Sequence, residues 1–89
     1  MHAVVVRVSI SDVEGAQKAL KEIVVPRVSG APGFVAGYWT RSEDGSNGQS
    51  MLVFESEDAA RTAADRLGAH VPEGVTLESA EVREVVASA

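Results

Sequence analysis

Few residues in this chain are equipped for chemistry. The only Trp and the only Tyr are neighbours, Tyr38-Trp39, within the stretch Pro32-Gly33-Phe34-Val35-Ala36-Gly37-Tyr38-Trp39-Thr40-Arg41. Adjacent residues on a strand point to opposite faces, so both rings cannot line one pocket unless a bulge intervenes. Two readings follow. Either one ring packs in the core under the helices and the other in an interface between subunits, since aromatics supply packing area, or one of them flanks a flat ligand. Arg7 stands in the middle of an apolar strand, on the parity of Val5 and Ser9. A buried guanidinium needs a carboxylate partner, and Glu55, Glu78 and Glu81 on neighbouring strands are candidates. Its functional reading is an anion- or enolate-binding group that stabilises developing oxyanion charge. Trp39, Tyr38 and Arg7 are therefore the candidate substrate-binding residues.

Other chemistries lack their residues. There is no Cys, which excludes disulfides, thiolate catalysis and Cys-ligated zinc. The two His are separate: His2 reads as a frayed terminal residue and His70 as a solvated loop residue. No His/carboxylate cluster has metal spacing, no Ser elbow is present, and the glycines at 30, 33 and 37 sit on the wrong side of a strand for a phosphate loop. Neither a metal nor a cofactor is expected. Glu residues are plentiful, but spacing singles out none as a general base. Eight basic against thirteen acidic residues give a net charge of −5, which argues against nucleic acid and anionic membrane as partners. No apolar run approaches about 18 residues and no signal peptide is visible. The default expectation is a soluble cytoplasmic protein.

The elements that must position these residues are legible. Ala3–Ile10 is dense in β-branched residues and reads as a strand, apolar on both faces. Ser11-Asp12-Val13-Glu14 reads as a capping box with Ser11 as the cap. The helix after it carries Val13, Ala16, Leu20, Ile23 and Val24 at helical spacing; Pro26 should end or kink it, with Val28 continuing the apolar face one more turn before Ser29-Gly30 stops it. The Pro32–Arg41 strand follows. Glu43–Gly48 is a polar hairpin loop, and Ser50–Glu55 returns as a third strand. Ser56 caps a second helix with Ala60, Ala63, Ala64 and Leu67 on its apolar stripe and Gly68 just past its end. Val75 to about Val86 is the last strand.

Eighty-nine residues make one domain, 1–89, in an α+β class. The order β-α-β-β-α-β is the ferredoxin-like arrangement, a four-stranded antiparallel sheet with two helices on one face. Two helices cover one face only, yet the first and third strands are apolar on both. The second face needs a partner, and in so short a chain that partner must be another subunit. A domain this size buries only about 60% of its unfolded surface, so a lone monomer is marginal.

Val4-Val5-Val6-Arg7-Val8, Pro32-Gly33-Phe34-Val35 and Met51-Leu52-Val53-Phe54-Glu55-Ser56-Glu57-Asp58-Ala59-Ala60 resemble the dimeric α/β-barrel superfamily. The chain is most similar to small members related to antibiotic-biosynthesis monooxygenases, and the resemblance covers nearly its whole length. It implies a homodimer whose sheets close an eight-stranded barrel. Cofactor-free oxygenases of that family hold a phenol and its oxygen adduct with Trp, Tyr and Asn side chains. Trp39 and Tyr38 match by type and approximate strand, while the only Asn, Asn47, falls in the hairpin loop. Haem-degrading relatives need an Asn on the first strand and a His on the second helix, and this chain has neither there.

Two functions follow. One is a cofactor-independent, monooxygenase-like enzyme acting on a small aromatic or polyketide-like compound. The other is a non-catalytic ligand-binding or scaffold homodimer. A roomy cleft with convergent polar groups favours a ligand site; a barrel filled with Val and Leu favours the scaffold.

Overall fold

The computed structural model describes residues 1–89. Four strands, β1 (His2–Ile10), β2 (Phe34–Arg41), β3 (Asn47–Phe54) and β4 (Val75–Glu84), form one sheet in the order β2-β3-β1-β4. Every pairing is antiparallel. The helical segments are α1 (Val13–Ala19), a π-helical turn (Leu20–Val24), α2 (Val25–Ser29) and α3 (Glu57–Ala69). The topology is the ferredoxin-like βαββαβ fold.

Register divides the sheet into two faces. Val4 pairs with Leu52 and Val82, and Leu52 with Gly37. Val4, Val6, Leu52 and Phe54 on this face are buried with Val28 of α2 and Ala60 of α3. Phe34 meets Phe54 edge to face, with ring centroids 5.8 Å apart. The other parity lies on the open face, where Tyr38, Met51, Val5 and Glu81 run in one row across all four strands. Tyr38 is 71% exposed and Met51 48%. A core of seven buried apolar residues is small for a domain of this length, which makes the uncovered apolar row the more consequential.

Several local expectations are corrected. Asp12, not Ser11, caps α1: its carboxylate accepts from the Gly15 N–H at 3.1 Å, while the Ser11 hydroxyl and N–H both donate to the Gly74 carbonyl. Pinned to the loop before β4, Ser11 cannot turn back to the helix. The helix continues past Pro26 and stops at Ser29-Gly30, where the sequence places its end. The chain widens into the π turn, where the Val25 N–H reaches the Leu20 carbonyl, and Pro26 then falls in the first turn of α2, where a missing N–H is tolerated. Gly68 lies inside α3 rather than beyond it, because the helix runs on to Ala69 and His70 caps it. His2 is no frayed terminus. It opens β1, its Nε2 lies 3.5 Å from the Glu57 carboxylate, and its Nδ1 is buried without a partner. The hairpin is tighter than expected, with β3 beginning at Asn47, and β4 ends at Glu84.

Two features position the site. Gly33 turns the chain from α2 into β2 at φ 79°, where a Cβ would sit 3.0 Å from that of Ala59; only glycine adopts this conformation at no steric cost. The helices also differ in their distance from the sheet. The small side chains of α3 let it lie close on β1, β3 and β4, whereas α1 and the π turn make almost no close backbone approach to any strand. The gap under α1 is a cleft.

Candidate functional site

The cleft has a volume of about 350 Å³. Its floor is the helix-covered face of the sheet, including Val6, Val8 and Leu77; its roof is Val13 and Leu20; Val71 and Pro72 close one end. Trp39 enters because its register partner, Ser50, shares the parity of Val6. The indole leans back over Gly37, where a Cβ would come within 3.0 Å of the ring. The absence of a side chain at Gly37 thus makes the room in which the ring lies.

The polar side chains on the cleft are Trp39, Ser50, Gln17, Thr40, Gln49, Arg41 and His70, and the Thr40 hydroxyl is spent on the Gln49 carbonyl at 2.6 Å. Arg41 donates to the Gln17 side-chain oxygen at 3.2 Å, tying the end of β2 to α1. That partner is neutral, so the guanidinium charge is uncompensated. His2 Nδ1 is the sole orphaned buried side-chain polar atom. The Trp39 N–H and Ser50 hydroxyl, which have no partner in the chain, are therefore not sealed in the interior. No Asp or Glu lines it, so no carboxylate of the chain stands there as a general base. No group of three or more His, Asp or Glu stands together in a way that could hold a metal.

The structure does not bring the three residues singled out from the sequence together. Trp39 lines the cleft, whereas Tyr38 and Arg7 lie on the open face beside Met51 and Gln49. In the single chain Arg7 is exposed and makes no ion pair with Glu55, Glu78 or Glu81. Of its expected partners, Glu78 accepts from the Ser9 hydroxyl and Glu81 is taken by Arg83 at 2.5 Å. Asn47 is also on the open face, opposite Ser9. Gln17, Arg41 and Ser50 were not singled out. Strand parity from Trp39 points to Arg41, hairpin register to Ser50, and helical spacing between Val13 and Leu20 to Gln17.

The hairpin below Arg41 is held by Asp44. Its carboxylate accepts from the Ser46 N–H at 2.9 Å, the Ser46 hydroxyl at 2.7 Å and the Ser42 hydroxyl at 2.8 Å. Led by the Ser46 backbone bond, these contacts lower its pKa from 3.8 to about 2. The folded pKa is depressed, so the loop's support is complete above 3.8 and is lost as pH falls towards 2. An NMR titration of the Asp44 carboxyl carbon should show a midpoint near 2, and Ser46→Ala should raise it. A midpoint at the ordinary aspartate value would refute this anchoring.

Neither a family model nor a curated protein matches the sequence. Solved structures do match in fold. HapK from Hahella chejuensis has a TM-score of 0.69 at 10% identity, over 100% of this chain and 96% of its own. A dimeric ferredoxin-like protein from an uncultured marine organism has 0.61 at 10% identity, over 99% and 97%. A monooxygenase from the gene ActVA-Orf6 of Streptomyces coelicolor, solved with nanaomycin D, has 0.58 at 17% identity, over 99% and 92%. At these identities the likeness establishes the shared ferredoxin-like fold.

Proposed function

We propose that residues 1–89 form one subunit of a homodimer, joined through the open sheet faces, and that the cleft under α1 binds a flat, electron-rich aromatic compound of polyketide-like chemistry for monooxygenase-like turnover. The observation that carries this reading is the single indole on the wall of an apolar, carboxylate-free cleft that also holds Arg41. Ligand sites of this kind have volumes of roughly 300–1,000 Å³, mostly apolar walls and a few convergent polar groups. The complex of the Streptomyces coelicolor monooxygenase with nanaomycin D supports the ligand class, and the marine protein described as dimeric supports the assembly. So does the row of Tyr38, Met51 and Val5 left uncovered on the sheet.

Oxygenation without a cofactor starts from an electron-rich anion. Arg41 would hold a phenolate, and His70 is the only cleft side chain suited to take up its proton. A ring carbon bearing hydrogen then adds O₂ to give a hydroperoxide. Loss of water leaves a carbonyl that keeps one oxygen atom, the other departing in the water.

One observation favours the non-catalytic reading. Of the Trp, Tyr and Asn types that the oxygenase resemblance implies, only Trp39 faces the cleft; Tyr38 and Asn47 are on the other face. Two measurements separate the readings. Planar phenols should change Trp39 fluorescence saturably, and Trp39→Phe should weaken their binding while leaving the dimer intact. Anthrone, whose product would be anthraquinone, should consume O₂ in proportion to enzyme. Binding without O₂ uptake leaves the ligand-binding dimer; no binding, with stability lost in Trp39→Phe, leaves only a packing role for the indole.

A further inference from the structure

A second cavity of about 280 Å³ adjoins the first, between α2 and α3. These helices barely approach one another, and the buried ring of Phe54 forms the cavity's base. Val24, Leu67, His70, Val71 and Pro72 border both cavities, so the two lie side by side with the end of α3 and the loop after it between them.

Charge is distributed unevenly around these two compartments. The chain carries thirteen acidic residues and a net charge of −5, yet not one carboxylate lines either compartment. The second holds two arginines, Arg27 from α2 and Arg66 from α3, with His70 between the compartments. The chain's ion pairs engage Arg61, Arg83 and His2 and leave Arg27 and Arg66 without carboxylate partners. Arg27 and Arg66 both line this one cavity and neither has a carboxylate partner in the chain, so an anion placed there would meet two uncompensated positive charges. Arg is well suited to the role, because its planar fork binds a carboxylate through paired, charge-assisted hydrogen bonds.

We infer that the second compartment is an anion subsite, and that the ligand of the main cleft is an aromatic acid whose carboxylate lies between Arg27 and Arg66. The inference rests on the aromatic-cleft reading above and narrows its ligand class. The apolar ring system occupies the compartment of Trp39, and the acidic substituent passes His70 into the second.

Danthron and rhein test this, since they share one dihydroxyanthraquinone ring system and rhein alone carries a carboxylate. Calorimetric titration of the intact protein should give rhein an affinity at least about tenfold higher, as expected for hydrogen bonds to a charged group. In the Arg27→Gln/Arg66→Gln double variant the two affinities should converge. Both arginines are exposed, and surface changes of this kind seldom cost more than about 0.5 kcal/mol, so the variant should stay folded. Equal affinities in the native protein, or a rhein preference that survives the double variant and vanishes in Arg41→Gln, would overturn the subsite while leaving the aromatic cleft standing. If neither compound binds, the cleft reading falls and the subsite with it.

Discussion

Met51→Glu should turn a dimer into a folded monomer. Met51 lies near the middle of the open sheet face, between Tyr38 and Val5 in the cross-strand row, and is half exposed in the single chain. In an isolated subunit a glutamate there meets water and should change stability by no more than about 0.5 kcal/mol. In a face-to-face dimer each subunit would bury one carboxylate without a partner, at about 3–5 kcal/mol each. Even 3 kcal/mol in total is more than a hundredfold in Kd, at about 1.4 kcal/mol per tenfold. Sedimentation at micromolar concentration should show a dimer for the native protein and for Met51→Leu, and a monomer for Met51→Glu. A native protein that sediments as a stable monomer would refute the homodimer, and a Met51→Glu variant that stays dimeric would place the interface elsewhere. Arg7 shares this face, so its unpaired state describes the single chain, and a partner sheet would change its surroundings most.

Phe54→Ala should be the most damaging single truncation of the core. Phe54 has no exposure at all, packs edge to face on Phe34, and also forms the base of the second compartment. Removing a buried Phe side chain costs about 3–5 kcal/mol, more when the surroundings cannot collapse into the void. Collapse is hindered here because the void would merge with existing empty space between α2 and α3. Domains of this kind have about 5–15 kcal/mol in all, so the variant should be marginal. Urea unfolding should show a large drop in midpoint; a shift equivalent to less than about 1 kcal/mol would mean that Phe54 is not central to the core. Rhein binding should weaken in the same variant, because the subsite loses its base.

Much of this architecture can be read from residue order. The β-branched run of β1, the Ser56 cap and the Ala stripe of α3 each state their element locally, and the element order restricts the topology to few choices. Trp39 and Tyr38 had to part to opposite faces, because side chains alternate along a strand whatever surrounds them. The helix between β1 and β2 holds a feature that no local pattern states. Proline chemistry predicts a stop or kink at Pro26, but it does not reveal that a π turn can absorb the missing N–H. Likewise, the choice of Asp12 over Ser11 as cap depends on the Gly74 carbonyl, a loop distant in sequence.

Periodicity, cap chemistry and turn residues are local in sequence, and they sufficed to determine the ferredoxin-like order and the two-sided apolar sheet. The site depends on distances between elements, which no local pattern carries. Only the tertiary structure showed that α1 stands off the sheet while α3 lies against it, and that Gly37 leaves room for the Trp39 ring. It also showed that acidic residues scattered along the whole sequence all avoid the two adjoining cavities. That segregation arises because folding sends charges on different elements to different surfaces, and the surface each one reaches is set by packing between elements far apart in the chain.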